Sequence, residues 1–436
     1  MNAHLYEKGT IADAISQLKG QNFSAAKSIC QNLTNINPQD AQAWHVLGLA
    51  DAQQGNLEQA VVSLKSATLL AWTNASFHFN LALAYKGLGQ VDLAEASYRE
   101  CIQQNSDFHE AYVNLGSLLA EQNKTREATV LLNKRLERCD DASDVHYNLA
   151  NLLRDTDDIQ QAIHHYTRAI ELSPELVNAR ENLTKVFLAD ERTQDARLVL
   201  QEWLTDFPES SMARHMLASI NGENVPERCD DDYIRETFGE DFAGKFDEQL
   251  ARLQYQAPDF VANTLLSLRD PKERLTILDA GCGTGLCAAK IRPVAAILHG
   301  VDLSASMLKM ADARRLYDSL TEAELTEYLF LHPNEYDCII SADTLCYFGD
   351  LGQVAQAARR GLRNKGLFIF TVELQTERAI ASFSLQPNGR YCHSERYVRE
   401  TLEIAGFKVL STDKVTLRTE RGQPVSGALV VAECLN

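Results

Sequence analysis

The sequence predicts two architectures in one chain of 436 residues. The first half reads as an α-solenoid, and the second as a doubly wound, mostly parallel α/β domain closed by a C-terminal antiparallel hairpin. Three observations carry this. Small and apolar residues recur every 34 residues from residue 7 to about 220. From residue 274, apolar strands alternate with helices, and the first strand runs directly into a glycine-rich turn. Near the end, apolar strands at 407–411 and 427–431 flank a polar stretch, the pattern of a hairpin closing a sheet.

The repeat is the strongest signal. With units starting at residues 7, 41, 75, 109, 143, 177 and 211, the twentieth position reads Ala26, Ala60, Ala94, Ala128, Ala162 and Ala196 without a gap. The eighth is small in five of six units (Ala14, Gly48, Ala82, Gly116, Ala150, then Thr184), and the seventh is Leu47, Leu81, Leu115, Leu149, Leu183 and Leu217. Small residues at 8 and 20 let two helices cross closely, while Leu at 7 and a bulky residue at 24 fill the seam. Pro38, Pro174 and Pro208 at position 32 end the second helix. The first unit departs from the pattern at Asp13, where Leu is expected, and the last supplies one helix only. Atypical ends suit a stack that buries its core only between neighbours.

Two readings of composition narrow the function. Against 42 Lys and Arg stand 60 Asp and Glu, a net charge of −18, and neither half is basic: residues 1–222 carry 18 basic and 28 acidic side chains. That argues against nucleic acid as partner. No apolar run approaches the roughly 20 residues needed to cross a bilayer, and residues 1–5 lack a secretory pattern. Ten Cys without a Cys-x-x-Cys pair read as reduced thiols, with no metal site expected, and the cytoplasm is the expected compartment.

Residues 223–268 read as a connector. The aromatic segment from Tyr233 through Phe238, Phe242 and Phe246 to Leu250 predicts either a lid over the α/β domain or a packing element. Then 274–286, Arg-Leu-Thr-Ile-Leu-Asp-Ala-Gly-Cys-Gly-Thr-Gly-Leu, gives a strand, a turn that lets a ligand approach backbone amides, and a helix at 286–292. A second strand at 295–301 ends in Asp302, where a carboxylate can accept hydrogen bonds from ribose hydroxyls. Helices at 305–316, 325–331 and 352–362 alternate with strands at 319–321, 336–342 and 367–372. Gly283-Thr-Gly285-Leu-Cys-Ala288 fits a dinucleotide turn, so NAD competes for the site. Against it, Asp279 stands two residues before the first glycine, where it repels a pyrophosphate but can hold a cationic amino acid.

The first half resembles tetratricopeptide repeats, about six with a capping helix over residues 1–222. Such arrays bind an extended peptide or a partner helix in the groove lined by first helices. Asn80, Asn114, Asn148 and Asn182 form a ladder at position 6, a face expected to contact a protein or peptide through its backbone, with Tyr112, Tyr147 and Asn151 nearby. A homodimer through the outer face is the other partnership kept open.

Leu278-Asp-Ala-Gly-Cys-Gly-Thr-Gly looks like motif I of class I S-adenosylmethionine-dependent methyltransferases, which have a Rossmann-like fold, here over residues 269–436 with the connector before it. Phe238-Gly-Glu-Asp-Phe, Tyr347-Phe-Gly-Asp-Leu and Gly389-Arg-Tyr-Cys-His-Ser further resemble bacterial methyltransferases that carry N-terminal tetratricopeptide repeats. The resemblance implies S-adenosylmethionine as cofactor. Asp279, Gly281, Cys282, Gly283 and Gly285 would seat its methionine end, and Asp302 with Leu303 the ribose. Ala323 and Glu324 would flank the adenine, and Ser341 with Ala342 would line the cofactor after the fourth strand. Glu324 stands where Asp is commoner. The sequence Ala342-Asp-Thr-Leu-Cys-Tyr347 replaces Asn/Asp-Pro-Pro-Tyr, which disfavours nucleic-acid-type amine methylation.

A sulfonium already activates its methyl group, so the enzyme mainly aligns a nucleophile and excludes water. If a proton must leave, Asp343, Tyr347, Tyr391 and His393 are candidates. His393 is best matched as a base near neutral pH. The expected function is methyl transfer to a protein or peptide recruited by the repeats, or to a small or carrier-bound molecule with the repeats used for docking.

Overall fold

The computed structural model describes residues 9–435 except 223, 271, 376–380 and 421, and the side chain of Asp241 is likewise not described. The chain divides into two compact units, residues 1–192 and 193–436.

The first unit is a helical solenoid: α1 (Ile11–Lys19), α2 (Phe23–Ile36), α3 (Ala41–Gln53), α4 (Leu57–Leu70), α5 (Ala75–Gly87), α6 (Val91–Gln104), α7 (His109–Glu121), α8 (Thr125–Leu136), α9 (Ser143–Asp155), α10 (Ile159–Leu172) and α11 (Val177–Ala189). Ala26, Ala60, Ala94, Ala128 and Ala162 are fully buried where paired helices cross, as the period requires. Gly48 and Gly116 exist for the same reason, since a Cβ there would fall within 2.6 Å of Leu64 and 2.9 Å of Leu132. Asp13 has a local explanation. Its carboxylate accepts from Thr10 N at 2.7 Å while Thr10 Oγ1 accepts from Asp13 N, a reciprocal cap that starts α1.

The second unit begins earlier than the end of the 34-residue register. Helices α12 (Thr193–Asp206) and α13 (Ser211–Asn221) follow the repeat pattern, yet Leu200, Trp203, Met212 and Met216 share a core with Cys229, Tyr233, Leu385 and Tyr391. Apolar burial, rather than repeat register, assigns them there.

Next come α14 (Asp231–Thr237), α15 (Glu240–Ala243), α16 (Phe246–Arg252) and α17 (Ala257–Leu268). The sheet is built from β1 (Leu275–Ala280), β2 (Ala295–Asp302), β3 (Ser319–Glu322), β4 (Tyr336–Ser341), β5 (Leu362–Leu374), β6 (Phe383–Leu385), β7 (Tyr391–His393), β8 (Phe407–Glu420) and β9 (Gln423–Cys434). Its helices are α18 (Ala288–Ile291), α19 (Ala305–Ala313), α20 (Leu325–Leu331), α21 (Gly352–Gly361) and α22 (Glu395–Ile404). Strands β3, β2, β1, β4 and β5 are parallel in that order, β9 joins β5 antiparallel, and β8 pairs with β9. The order reverses between β1 and β4, so loops diverge there and leave a crevice at the carboxyl ends of the strands.

Two differences from the sequence reading matter. The polar stretch 412–426 is largely strand: β8 extends to Glu420 and β9 starts at Gln423. A register shift between Thr416 and Arg418 lets the consecutive Leu417 and Arg418 both point inward, which hides the strand from a period-two pattern. The short β6–β7 hairpin was not anticipated. Glu373 pairs with Gly427 of β9 and with Cys392 of β7, so β7 extends β5 on the edge that β4 leaves at Ser341.

Ala94 lies at a helix crossing with no free space, so Ala94→Leu should cost about 1–3 kcal/mol by overpacking. Denaturant unfolding of the full chain should show the loss, and an unchanged midpoint would remove close crossing as the reason for the alanine period.

Candidate active site

At that crevice lies an open cleft of about 1110 Å³, counted out into the solvent at its mouth. Asp279, Gly281, Cys282, Gly283, Asp302, Leu303, Ala323, Glu324, Ala342, Asp343 and Tyr347 line it, eleven residues from four strand ends. Phe238, Phe246, Leu250 and Tyr255 of the connector line the opposite wall. The connector is fastened to the glycine turn: Thr284 Oγ1 donates to Asp247 at 2.5 Å, Arg314 also pairs with Asp247, and Ser304 Oγ donates to the Phe238 carbonyl at 2.7 Å. The aromatic segment therefore covers the cleft.

The turn is built by close approach. Gly281 has φ +71°, and a Cβ on it would sit 2.1 Å from Thr344 Oγ1. Gly281 N and Cys282 N both donate to the Val301 carbonyl, holding the turn against the end of β2. Gly285 does not reach the cleft; at φ +85° it makes room for the Tyr317 ring, 3.0 Å from its would-be Cβ.

Two acids flank the turn. Asp279 is 1% exposed, and burial raises its pKa to about 7, opposed by the Tyr317 hydroxyl, which donates to Oδ2 at 2.7 Å. Asp302 accepts from Gly283 N at 2.8 Å and Ser304 N at 2.9 Å, and burial raises its pKa against these bonds. Glu324 caps α20 through Oε2, accepting from Glu327 N at 2.8 Å, while its buried Oε1 has no partner among the described residues. Such an acceptor awaits a donor.

Three expected site residues lie elsewhere. Ser341 is fully buried and its Oγ donates to the Ala280 carbonyl, so it ties β4 to β1 instead of lining the cleft. His393 is fully buried on β7 with Nε2 against the Gly349 carbonyl at 3.1 Å, and burial pushes its pKa down to about 4. A ring with no path to the cleft does not serve as base there. Tyr391 is likewise buried, its hydroxyl donating to the Pro226 carbonyl.

Asp343 is in the cleft, at φ +58°, uncommon outside glycine. Thr371 Oγ1 accepts from its backbone N at 2.9 Å, and Arg418 donates to its Oδ2 at 2.9 Å. Burial raises its pKa, with Arg390 and Arg418 pulling the other way. Burial also lifts the Tyr347 hydroxyl well above its ordinary range. The reading of the sequence missed Arg390, Glu373 and Arg418, which join this cluster from separate strands and turns.

In the first unit, the ladder amides are partly spent. Asn80 Nδ2 donates to the Ser76 carbonyl, Asn114 Nδ2 to the Glu110 carbonyl, and Asn182 Nδ2 to Asn151 Oδ1. No group of three or more candidate metal ligands occurs among the described residues. None of their helices is long and apolar enough to cross a membrane.

Comparison with known proteins adds to this geometry. Residues 278–370 match a family model described as a methyltransferase domain, and residues 48–89, 75–108 and 143–176 match models of the tetratricopeptide repeat. The chain thus carries tetratricopeptide repeats followed by a methyltransferase domain. Human methyltransferase-like protein 27 is 42% identical over 86 residues, 19% of this chain and 35% of that protein. Malonyl-[acyl-carrier protein] O-methyltransferase of Acetivibrio thermocellus is 28% identical over 188 residues, 37% and 64% of the two chains. The human protein O-mannosyl-transferase TMTC3 is 26% identical over 170 residues, 35% of this chain and 19% of that one. The chain thus spans between about a fifth and under two thirds of the length of these relatives.

In the methyltransferase domain, Gly281→Ala should cost about 1–2 kcal/mol for its positive φ and a further amount for the clash with Thr344. Gly281→Ala with Thr344→Ala should recover part of the clash and none of the backbone cost, because the Thr344 Cβ that remains still lies 2.7 Å from the would-be Cβ. Equal stabilities of the single and double variants in thermal unfolding would refute the close-approach account.

Proposed function

We propose that this chain is an S-adenosylmethionine-dependent methyltransferase whose repeats recruit a protein or peptide acceptor. The observation that carries the cofactor is the sequence of acceptors along one cleft: Asp279 beside the glycine turn, Asp302 at the end of β2, and the unpartnered Oε1 of Glu324. These suit an ammonium, a pair of ribose hydroxyls and an exocyclic amine in turn. A dinucleotide would bring phosphate to buried Asp279, so NAD fits less well. The bound sulfonium supplies an already activated methyl group. The protein's own share is orientation by the two acids and exclusion of water by Phe238 and Phe246.

Support for a polypeptide acceptor comes from the repeats and from the Asn80, Asn114, Asn148 and Asn182 faces. A second reading has its own support. A relative is named for methylating a carrier-bound malonyl group, and on that reading the repeats serve docking or pairing of two copies. The ten free thiols favour a reducing compartment, the cytoplasm.

Calorimetric titration tests the cofactor. S-adenosylmethionine and S-adenosylhomocysteine should bind, NAD should not, and Asp302→Ala should weaken binding about tenfold or more. An ammonium needs ionised Asp279, whose carboxyl protonates as pH falls through about 7. Affinity for S-adenosylhomocysteine should therefore decline as pH falls below about 7, whereas methylthioadenosine, which lacks the ammonium, should not follow it. NAD binding alone would sink the reading. For the repeats, Asn114→Ala with Asn148→Ala should lower kcat/KM for a peptide acceptor. Unchanged kcat/KM would favour the docking role.

A further inference from the structure

One wall of the cleft carries a group that cofactor binding leaves unused. Arg390, in the turn before β7, lines the cleft beside Asp343 and Tyr347. Its Nη1 donates to Glu373 Oε1 at 3.2 Å and lies 3.9 Å from Asp343 Oδ2, and the guanidinium stands 5.8 Å from the centre of the Tyr347 ring. Behind it Arg418, from β8, donates to the same Glu373 oxygen at 2.6 Å, to Asp343 at 2.9 Å and to Glu420 at 2.6 Å. Arg418 by itself thus partners both buried carboxylates. Burial works to raise the Glu373 pKa, but the two guanidinium groups outweigh it and hold it below the ordinary value.

Arg390 helps to balance these carboxylates and still keeps donors to spare. Its Nε and Nη2 have no hydrogen bond to another described residue, and 24% of its side chain stays accessible while Arg418, Glu373 and Asp343 keep 1%, 4% and 10%. A guanidinium with two adjacent free donors on a cleft wall suits a carboxylate. A second observation points the same way. No candidate base is poised: His393 is sealed from the cleft, the Tyr347 hydroxyl stays protonated, and Asp343 is engaged by Arg418 and Thr371. The site therefore suits a nucleophile that needs no base, and among these an anion is the one a guanidinium attracts.

We propose that Arg390 selects the acceptor, and that the acceptor presents a carboxylate which becomes a methyl ester. This rests on the sulfonium reading of the cleft. In the step, a carboxylate oxygen forms the O–CH3 bond as the S–CH3 bond breaks; the bonding pair stays on sulfur, and no proton moves. The carboxylate belongs either to a free acid or to a peptide.

The test is calorimetric titration of the full chain, saturated with S-adenosylhomocysteine, using hexanoate against hexanamide and an acetylated glutamate tripeptide against its glutamine counterpart. At least one acid should bind about tenfold more tightly than its amide, and which pair discriminates identifies the source. Arg390→Gln should abolish the preference with S-adenosylhomocysteine affinity unchanged, and Arg390→Lys, which keeps a charge beside Glu373, should retain part of it. Equal binding of acid and amide, or a preference that survives Arg390→Gln, overturns the proposal. So does loss of S-adenosylhomocysteine binding in a folded Arg390→Gln protein, which would give the guanidinium to the cofactor's own carboxylate. Failure of the unaltered protein to bind S-adenosylhomocysteine would instead strike the cofactor reading beneath it.

Discussion

The hydrogen bond from the Tyr317 hydroxyl to Asp279, 2.7 Å long, connects the loop after α19 to the end of β1, and the cleft is arranged around it. The ring behind that hydroxyl occupies space which side chains at Gly285 and Gly300 would fill, with would-be Cβ atoms 3.0 and 2.9 Å away. The glycines are thus required by the tyrosine as much as by a ligand. Burying a carboxylate costs several kcal/mol unless it is partnered. Here the donor supplies part of that compensation and leaves the other oxygen for the cleft. With Asp279 fixed, the turn lies against Val301, Asp302 accepts from Gly283, and the connector has a surface to cover.

A second constraint shapes the opposite wall. Asp343, Glu373, Arg418 and the more accessible Arg390 form an ionic cluster in which removing any one member would strand an uncompensated charge. The cluster joins the loop after β4, the end of β5 and the end of β8, and so fixes the C-terminal hairpin relative to the parallel sheet. It also holds Asp343 in its left-handed backbone conformation, a local cost the surroundings meet. Fully engaged charges are poor proton acceptors, so the rigidity of this wall bears on which acceptors the cleft can serve.

Much of the site was legible because its residues are contiguous. Asp279 to Gly283 are five consecutive residues and Asp302 closes the apolar strand β2, whereas Ala323, Glu324 and Ala342 were reached through the family resemblance. His393 shows where this stops. Its chemistry suited a base, but β7 places it under Gly349 in a fully buried position, and no local pattern announces a three-residue strand. Ser341 and Gly285 failed similarly: strand ends and turns are recognisable, but which side faces the cleft depends on packing. Arg390 and Arg418 were missed because the buried acids they pair with lie 17 to 75 residues away, and Arg418 fell within an apparent loop.

By itself the sequence determined the periodic features: the 34-residue helical repeat, the strand and helix alternation, and the glycine turn with its acids. Each is written in spacings shorter than one repeat or one strand–helix unit, where side-chain direction follows from helical or strand geometry. Tertiary structure decided where the last repeat helices belong, since Leu200, Trp203, Met212 and Met216 share a core with Leu385 of β6 and Tyr391 of β7. It also decided the full length of the terminal hairpin and the charge balance of the acceptor wall. Burial and ion pairing depend on segments distant in the chain, and no local pattern encodes which of them will meet.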